Sequence, residues 1–310
     1  MLTRREFGTF AIAGLAFPRL AGAFEAVDGV HLGVQTYSFR DLARPAGAAD
    51  SVDVVIKAMK EAGVSECELF APQLEPQFSS GARGQRGQRG APPSPEAVKT
   101  REDLRTWRLE SPLDHFRNAK KKFDAAGIVI TAYCYNMNDS FTDAEIDRGF
   151  EMTRALGTNV LTTSTQMTVA KRIAPLADTH KMLVGLHGHS NVTDPNEFAT
   201  PESFAAAMKL SKYLKVNLDV GHFVSADYDP VAYIREHHAD ITNLHLKDRK
   251  KHQGDNTPWG QGDTPIKEVL QLLKKERWPI PVDIEYEYRG TGTSPEEVKK
   301  CMEYAKQALA

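Results

Sequence analysis

The sequence predicts a single-domain α/β protein folded as a (β/α)8 barrel, the TIM barrel. Short β-rich runs alternate with amphipathic helical patterns, and eight such alternations follow one another along the chain. This order implies parallel strands joined by right-handed crossovers. A doubly wound sheet, the main alternative, normally has fewer strands and needs a phosphate-binding turn after its first strand. No such turn follows Tyr37, and 310 residues are enough for one barrel.

The predicted strands are short runs rich in apolar, β-branched and aromatic residues. They cover residues 32–37, 66–70, 128–133, 159–163, 182–187, 215–220, 241–246 and 282–286. The intervening helices repeat apolar residues at spacings of three, four or seven, which gives each helix one face toward the barrel. Thr142 with Glu145 and Ser294 with Glu297 fit the capping-box pattern and mark two predicted helix starts.

The charge balance argues against a nucleic-acid partner. The chain has 39 Lys and Arg against 41 Asp and Glu, a formal net charge of -2, which creates no field that would attract phosphates. The three cysteines, Cys67, Cys134 and Cys301, are few and uneven in number, which argues against a disulfide framework, so we expect buried thiols. A homo-oligomer stays open.

The first segment predicts an export signal. The pair Arg4 and Arg5 precedes an apolar run at 10–17 and a small-residue pattern ending at Ala23. The arginine pair resembles the twin-arginine type of signal. We therefore expect residues 1–23 to be removed, the barrel to span 24–310, and the mature protein to be periplasmic with no membrane span.

One connection interrupts the rhythm of strands and helices. After the second strand, an insertion at about 74–100 is rich in Arg, Gly and Pro, and it includes Arg83, Arg86 and Arg89 at intervals of three. Such a composition cannot pack a core, which predicts a solvated flexible loop. Because the loop follows a strand, it emerges at the C-terminal face of the barrel, where it could serve as a lid.

The ends of strands five to eight carry an unusual share of His and carboxylate side chains. Taken singly, each has an ordinary explanation as a core histidine, a helix cap or a surface charge. Four neighbouring strand ends, however, direct such side chains to one centre. Imidazole and carboxylate together suit a divalent transition metal. The predicted ligands are His187, Asp219, His245 and Glu285; Glu287 shares the strand parity of Glu285 and is the alternative ligand on that strand.

Further residues are predicted around this centre. His189 and His222 are expected to contact substrate or to orient ligands. Lys247 shares the parity of His245 and either polarises a substrate oxygen or is an ordinary solvated lysine. Three residues at the ends of strands one and two and one loop tryptophan complete the predicted substrate site: Gln35, Tyr37, Glu68 and Trp259. The tryptophan either stacks on a sugar face or only packs its loop.

Four segments carry a resemblance to a known family. They are LDVGH at 218–222, HLKD at 245–248, GQGD at 260–263 and IEYE at 284–287. In this order on a barrel pattern, they resemble the xylose isomerase-like sugar isomerase and epimerase family. The resemblance implies one divalent ion, most often manganese or cobalt, held by Glu, Asp, His and Glu on strands five to eight. It makes Asp219, His245 and Glu285 three of the ligands and His222 a substrate contact; we expect Mn²⁺, with Co²⁺, Zn²⁺ or Mg²⁺ as alternatives.

The chain departs from the family at strand five. The family has Glu-Asn-His there, whereas this chain has His187-Gly188-His189. Family epimerases use two metal-bound glutamates on opposite faces of the sugar. A metal-bound His187 has no free lone pair at its ligating nitrogen, so it cannot replace one of these bases.

The leading prediction is a metal-dependent isomerase or epimerase that removes the proton α to a sugar carbonyl through an enediolate, with Glu285 or a nearby histidine as base. The close alternative is a lyase or hydrolase that releases the aglycone of a 3-keto-glycoside by β-elimination. An abasic-site endonuclease would need more metal ligands and a basic surface, which the net charge opposes. A non-catalytic sugar-binding protein would bind a keto sugar without exchanging its α proton.

Overall fold

Eight parallel strands close into a barrel in the computed structural model, which describes residues 26–77 and 94–310. The predicted fold class is therefore confirmed. The barrel strands are β1 Leu32–Gln35, β2 Glu66–Phe70, β3 Val129–Cys134, β4 Val160–Thr163, β5 Leu183–His187, β6 Leu214–Asp219, β7 Ile241–Leu246 and β8 Val282–Ile284. Each strand pairs with its neighbours in chain order, and β1 pairs with β8 to close the ring.

Helices surround the barrel and cover it with apolar faces. Their bounds are α1 Val52–Ala62, α2 Pro95–Glu110, α3 Leu113–Ala125, α4 Asp143–Ala155, α5 Met167–His180, α6 Pro201–Met208, α7 Val220–Ser225, α8 Pro230–His237, α9 Ile266–Glu276 and α10 Ser294–Leu309. A two-stranded antiparallel hairpin, Asp248–Arg249 with Asn256–Thr257, follows β7. Among the described residues, no helix is both long enough and apolar enough to cross a membrane.

The inside of the barrel contains buried polar side chains, in contrast to the apolar layer between strands and helices. Apolar side chains fill the space between strands and helices, whereas several buried positions of the strands are polar. Side chains two residues apart point to the same face of a strand, so Asn217 and Asp219 share one face, as do Asn243 and His245. Register places Asn217 beside Asn243 and Asp219 beside His245. The polar residues of adjacent strands therefore lie in successive layers toward the C-terminal face.

Several predicted boundaries shift by one or two residues. Tyr37 lies in a 3-10 turn, Thr36–Phe39, that begins where β1 ends. The Thr142 capping box at the start of α4 is confirmed. The predicted box of Ser294 with Glu297 is wrong by one residue, because Thr293 is the N-cap of α10 and its N–H donates to Glu296 at 2.8 Å. The three cysteines are free and buried, as expected.

The predicted insertion is shorter than expected, because α2 begins at Pro95 within the predicted range 74–100. Helix α2 buries none of its residues but is tied down by ion pairs. Arg108 pairs with Glu75 at 2.7 Å and Arg105 pairs with Glu145 at 2.9 Å. The arginine repeat of the insertion and the predicted export signal both lie outside the described residues.

Candidate metal centre

Four side chains converge at the C-terminal mouth of the barrel. His187 ends β5, Asp219 ends β6, His245 lies in β7, and Glu285 directly follows β8. One ligand atom from each lies within 4.8 Å of those of the other three, and all four residues are buried. We call His187, Asp219, His245 and Glu285 the ligand cluster. These are the four residues that the sequence predicts as ligands, and the barrel brings them together.

Asp219 is fixed by the helix that it caps. It is the N-cap of α7, and its Oδ1 accepts the backbone N–H of His222 at 2.7 Å. Such a cap holds a side chain in one orientation. Its other oxygen, Oδ2, is buried and lies 2.9 Å from Nζ of Lys247 and 3.9 Å from Nε2 of His187. One carboxylate oxygen is thus used by the fold and the other faces the cluster.

His245 is held between two carboxylates. Its Nδ1 lies 3.2 Å from Oε2 of Glu285, and its Nε2 lies 2.7 Å from Oε2 of Glu68. Burial alone would lower the pKa of His245, but Glu68 and Glu285 raise it well above its usual value. One ring nitrogen therefore faces the ligand cluster, and the other faces the interior of the barrel.

Lys247 places a positive charge against the cluster. Its Nζ lies 2.9 Å from Oδ2 of Asp219, 2.7 Å from Oε2 of Glu285 and 2.6 Å from Oε2 of Glu287. The residue is only 2% exposed, so the alternative of a solvated lysine is wrong. Burial opposes its charge, but the three carboxylates raise the pKa of Lys247 well above its usual value. A Cβ at position 221 would lie 2.4 Å from Cγ of Lys247, so Gly221 makes room for this side chain.

Three of the four cluster residues have protonation states that suit a cation, whereas His245, whose pKa is raised, must lose a proton before it can bind one. Burial lowers the pKa of His187 well below its usual value, which keeps the imidazole neutral. Burial raises the pKa of Asp219 to about 6, which still leaves it ionised at neutral pH. For Glu285, burial is overcome by Lys247 and His245, and its pKa falls well below the usual range. Neutral imidazole and ionised carboxylate are the forms that bind metal ions.

The residues present fit a divalent ion. Nδ1 of His187 is buried without a hydrogen-bond partner in the described structure, which is costly unless another group satisfies it. Two imidazoles and two carboxylates form a donor set of the kind that holds transition metals in proteins. The ligand cluster can therefore hold one divalent ion.

His189 and His222 flank the cluster on its open side. Their ring centroids lie 5.3 Å apart, and the ring of His189 lies 5.0 Å from that of His187. Arg249 approaches Nδ1 of His222 with Nη1 at 2.5 Å. Because a guanidinium only donates, Nδ1 must accept, and a neutral His222 carries its proton on Nε2. Burial lowers the pKa of His222 well below its usual value, which agrees with the neutral form.

Arg249 is a site residue that the sequence analysis missed. It also donates to Oγ of Ser190 at 3.3 Å and to the carbonyl of Gly254 at 2.7 Å. The sequence contained a usable sign, since Arg249 continues the two-residue spacing of His245 and Lys247 past the end of the strand. The turn that follows β7 obscured that spacing.

The other predicted substrate residues divide into two groups. Tyr37 is half-buried near the mouth, where Arg40 lies 4.4 Å from its ring centre. Gln35 and Glu68 do not lie at the rim as predicted; both are buried, and Nε2 of Gln35 donates to Glu68 at 2.8 Å. Glu68 is the middle residue of β2, two residues before the end of the strand, and register pairs it with Gln35, so both lie below the rim.

Trp259 packs its loop against the rest of the chain, which is the second of its two predicted roles, and does not lie beside the ligand cluster. Its ring packs edge-on against Tyr304 of α10, with centroids 5.8 Å apart. It lines a small cavity together with Tyr288 and Arg289, beside α10 rather than among the ligand cluster. The loop that carries Trp259 folds onto Asp248, whose Oδ2 accepts the N–H groups of Gly260 and Gly262 at 2.8 Å each.

Comparisons with solved structures agree with this architecture. A sugar phosphate isomerase/epimerase from Parabacteroides distasonis is 18% identical, with a TM-score of 0.57 over 93% of this chain and 97% of that chain. The IOLI protein with a binding zinc atom is 12% identical, with a TM-score of 0.60 over 90% of this chain and 98% of that chain. The 3-keto-D-glucoside 4-epimerase from E. coli is 11% identical, with a TM-score of 0.59 over 90% and 99%.

At these identities the likeness concerns the fold. The comparison with curated proteins found no match. The comparison with protein families matches residues 56–308 to the family described as xylose isomerase-like TIM barrel. This match covers most of the chain and includes the whole ligand cluster. The chain therefore belongs to the xylose isomerase-like TIM barrel family.

Proposed function

We propose that this protein is a divalent-metal-dependent enzyme that removes the proton α to the carbonyl of a keto sugar and isomerises or epimerises the sugar through an enediolate. The observation that carries this proposal is the ligand cluster, in which two imidazoles and two carboxylates meet within 4.8 Å at the mouth of the barrel. Barrel enzymes place their chemistry at this face. Several structural neighbours are named as sugar isomerases or epimerases.

A divalent ion in the cluster would supply Lewis acidity, which favours the charge that develops on a sugar oxygen during proton removal. The chain supplies the remaining groups. Nζ of Lys247 donates to a substrate oxygen, and Glu287, at 2.6 Å from this ammonium, gives it a partner outside the ligand cluster. His222 presents Nε2–H as a second donor, because Arg249 occupies its Nδ1. Glu285, ionised beside Lys247, is the base that we favour.

A second candidate is elimination of the aglycone from a 3-keto-glycoside on the same site. The specific observation in its favour is His187, which stands where the family resemblance implies a carboxylate. With one glutamate fewer, the cluster lacks a second carboxylate base opposite Glu285, and two-base epimerisation loses support. Aldose-ketose isomerisation and β-elimination each start with a single proton removal, which Glu285 can perform.

The loop after β7 supports a substrate without phosphate. In barrel enzymes, N–H groups of the loops after strands seven and eight often bind phosphate. Here Gly260 and Gly262 donate their N–H groups to the chain's own Asp248, at 2.8 Å each. Arg249 donates to Ser190, His222 and Gly254. We therefore propose a neutral sugar or glycoside.

The experiment that tests the proposal incubates the metal-loaded protein with keto sugars and 3-keto-glycosides in deuterated water. Deuterium exchange at the α carbon without release of aglycone indicates an isomerase or epimerase. Release of aglycone indicates the lyase or hydrolase. Binding without exchange across the panel contradicts both and identifies a non-catalytic sugar-binding protein, whereas salt-sensitive binding and cleavage of abasic DNA would identify an endonuclease.

We also propose export to the periplasm through the twin-arginine signal at residues 1–23. The sequence features behind it are the pair Arg4 and Arg5 and the apolar run that follows. Replacing both arginines by lysine keeps the charge and should retain the full-length chain in the cytoplasm, as measured by cell fractionation. Normal export of this variant would contradict the twin-arginine assignment.

A further inference from the structure

Glu68 is a buried carboxylate that the proposed mechanism does not use. It lies in β2, on the opposite side of the barrel from the strands that carry the ligand cluster, and it is 0% exposed. A carboxylate taken out of water is costly unless hydrogen bonds or opposite charges compensate it. Its position therefore needs a reason beyond packing.

Hydrogen-bond donors from other strands fix both oxygens of Glu68. Its Oε1 accepts from Nε2 of Gln35 at 2.8 Å and from Oγ1 of Thr162 at 2.5 Å. Its Oε2 accepts from Nδ2 of Asn243 at 2.5 Å and lies 2.7 Å from Nε2 of His245. Strands β1, β4 and β7 thus hold one carboxylate in a single orientation.

The contact with His245 has a direct consequence for the ligand cluster. Nδ1 of His245 faces the cluster, 3.2 Å from Oε2 of Glu285, while Nε2 faces Glu68. An imidazole that binds an ion through Nδ1 must carry its proton on Nε2. That N–H needs an acceptor, and metal-bound histidines commonly donate their second N–H to a carboxylate, which fixes the tautomer and orients the ring.

We propose that Glu68 is a positioning residue that holds His245 as a ligand, with Nε2–H donated to Glu68 and Nδ1 left for the ion. The inference rests on the proposed metal centre and adds a residue from β2 to it. Gln35, Thr162 and Asn243 affect His245 only indirectly, because their hydrogen bonds keep the acceptor oxygens of Glu68 in place.

Asp283 provides a matched comparison inside the same barrel. It is equally buried, and its Oδ2 accepts from Nδ2 of Asn243 at 2.9 Å, so it shares a hydrogen-bond donor with Glu68. Among the described hydrogen bonds, none joins Asp283 to His245. A purely structural role of the buried polar network predicts similar effects for both carboxylates, whereas a positioning role singles out Glu68.

The experiment compares Glu68→Gln with Asp283→Asn in the full-length protein. Affinity for Zn²⁺ and Co²⁺ is measured by competition with a chromophoric chelator, and circular dichroism with thermal unfolding confirms that each variant folds. We expect Glu68→Gln to weaken metal binding by about 10- to 100-fold. Asp283→Asn should stay close to the parent chain. Glu68→Asp, which keeps the charge but withdraws it from His245, should weaken metal binding as well and replaces Glu68→Gln if that variant does not fold.

A second measurement uses the proton spectrum of the zinc-loaded protein. We expect a strongly downfield Nε2–H resonance from His245, which a short bond to a carboxylate produces and which should move upfield in Glu68→Gln. Equal losses of affinity in Glu68→Gln and Asp283→Asn, or unchanged affinity in Glu68→Gln, would overturn the positioning role while leaving the metal centre intact. Absence of metal binding by the parent chain would instead reject the metal centre itself.

Discussion

The two halves of the barrel contribute to the candidate site in different ways. Strands β5 to β8 end in side chains that face the mouth and form the ligand cluster. Strands β1 to β4 contribute Gln35, Glu68 and Thr162, which lie deeper and reach the cluster only through His245. Strands β5 to β8 supply the four ligand side chains, and Glu68 of β2 contacts one of them, His245, from deeper in the barrel. Chemistry and support are thus separated across the barrel axis, so substitutions in the two halves should have distinguishable effects.

The largest effect should come from removing a ligand. Asp219→Asn keeps the cap on α7 but removes the charge beside His187, and His245→Gln removes a ring nitrogen. We expect each to lower metal affinity and turnover by at least about 100-fold, which exceeds the usual loss for an indirect partner. Metal content by mass spectrometry and the deuterium exchange assay measure both quantities. Asp147→Asn, at a half-buried position of α4 where Asp147 pairs with His180 away from the cluster, is the matched control. A fully active Asp219→Asn would contradict a role of the cluster in metal binding.

The next effect concerns Lys247, whose substitution should change metal affinity and turnover in opposite directions. Its ammonium lies 2.9 Å from Asp219 and 2.7 Å from Glu285, so it repels a cation in the cluster. Lys247→Met should therefore bind metal about 10-fold more tightly while losing about 100-fold in turnover, since the donor to the substrate oxygen is gone. Lys250→Met, at an exposed lysine of the adjoining loop, controls for net charge. Weaker metal binding by Lys247→Met would contradict this division.

A smaller effect should appear in the choice of metal. The resemblance favours manganese, whereas a second imidazole at His187 favours zinc or cobalt, which prefer nitrogen donors more strongly than manganese does. His187→Glu restores the family donor set and should shift relative affinity toward Mn²⁺ by about 10-fold. Parallel titrations of the parent chain and the variant with each metal measure the shift. An unchanged order of affinities would show that His187 does not contact the ion.

The smallest effect should be a pH dependence of metal binding. Burial raises the pKa of Asp219 to about 6, so the folded protein binds a proton there at a higher pH than the unfolded chain does. That proton must leave before Oδ2 can bind a cation, and affinity should therefore fall as the pH drops from about 7 to about 5. For the same reason, the contribution of Asp219 to the stability of the metal-free protein should decrease as the pH rises from about 4, near the pKa of the unfolded chain, to about 6. Metal titrations at several pH values test the first expectation, and flat affinity would contradict it.

The sequence predicted the half of the site that obeys a simple rule. Each ligand stands at the end of a predicted strand or one residue before it, and the C-terminal ends of parallel strands meet at one face. His187, Asp219, His245 and Glu285 could thus be found without knowing how far each strand slides past its neighbours. The fold followed from the same alternation of strands and helices.

The supporting half could not be predicted in the same way. Glu68 was expected at the rim because it lies near the end of β2, but its depth depends on strand tilt and register, which no local pattern encodes. Register pairs it with Gln35, at the end of the shorter β1. Trp259 and Arg249 lie in the segment after β7, where tertiary contacts rather than a repeating pattern decide the direction of a side chain.

The pairing of β1 with β8 has a consequence for the order of assembly. Leu32 lies beside Val282, so the ladder that seals the ring joins segments from opposite ends of the chain. Bringing such distant segments together carries a loop-closure cost that precedes any gain from contact, and it slows folding. Glu285 follows directly on the sealing strand. The ligand cluster therefore cannot be complete until synthesis has passed this strand and the last ladder has formed.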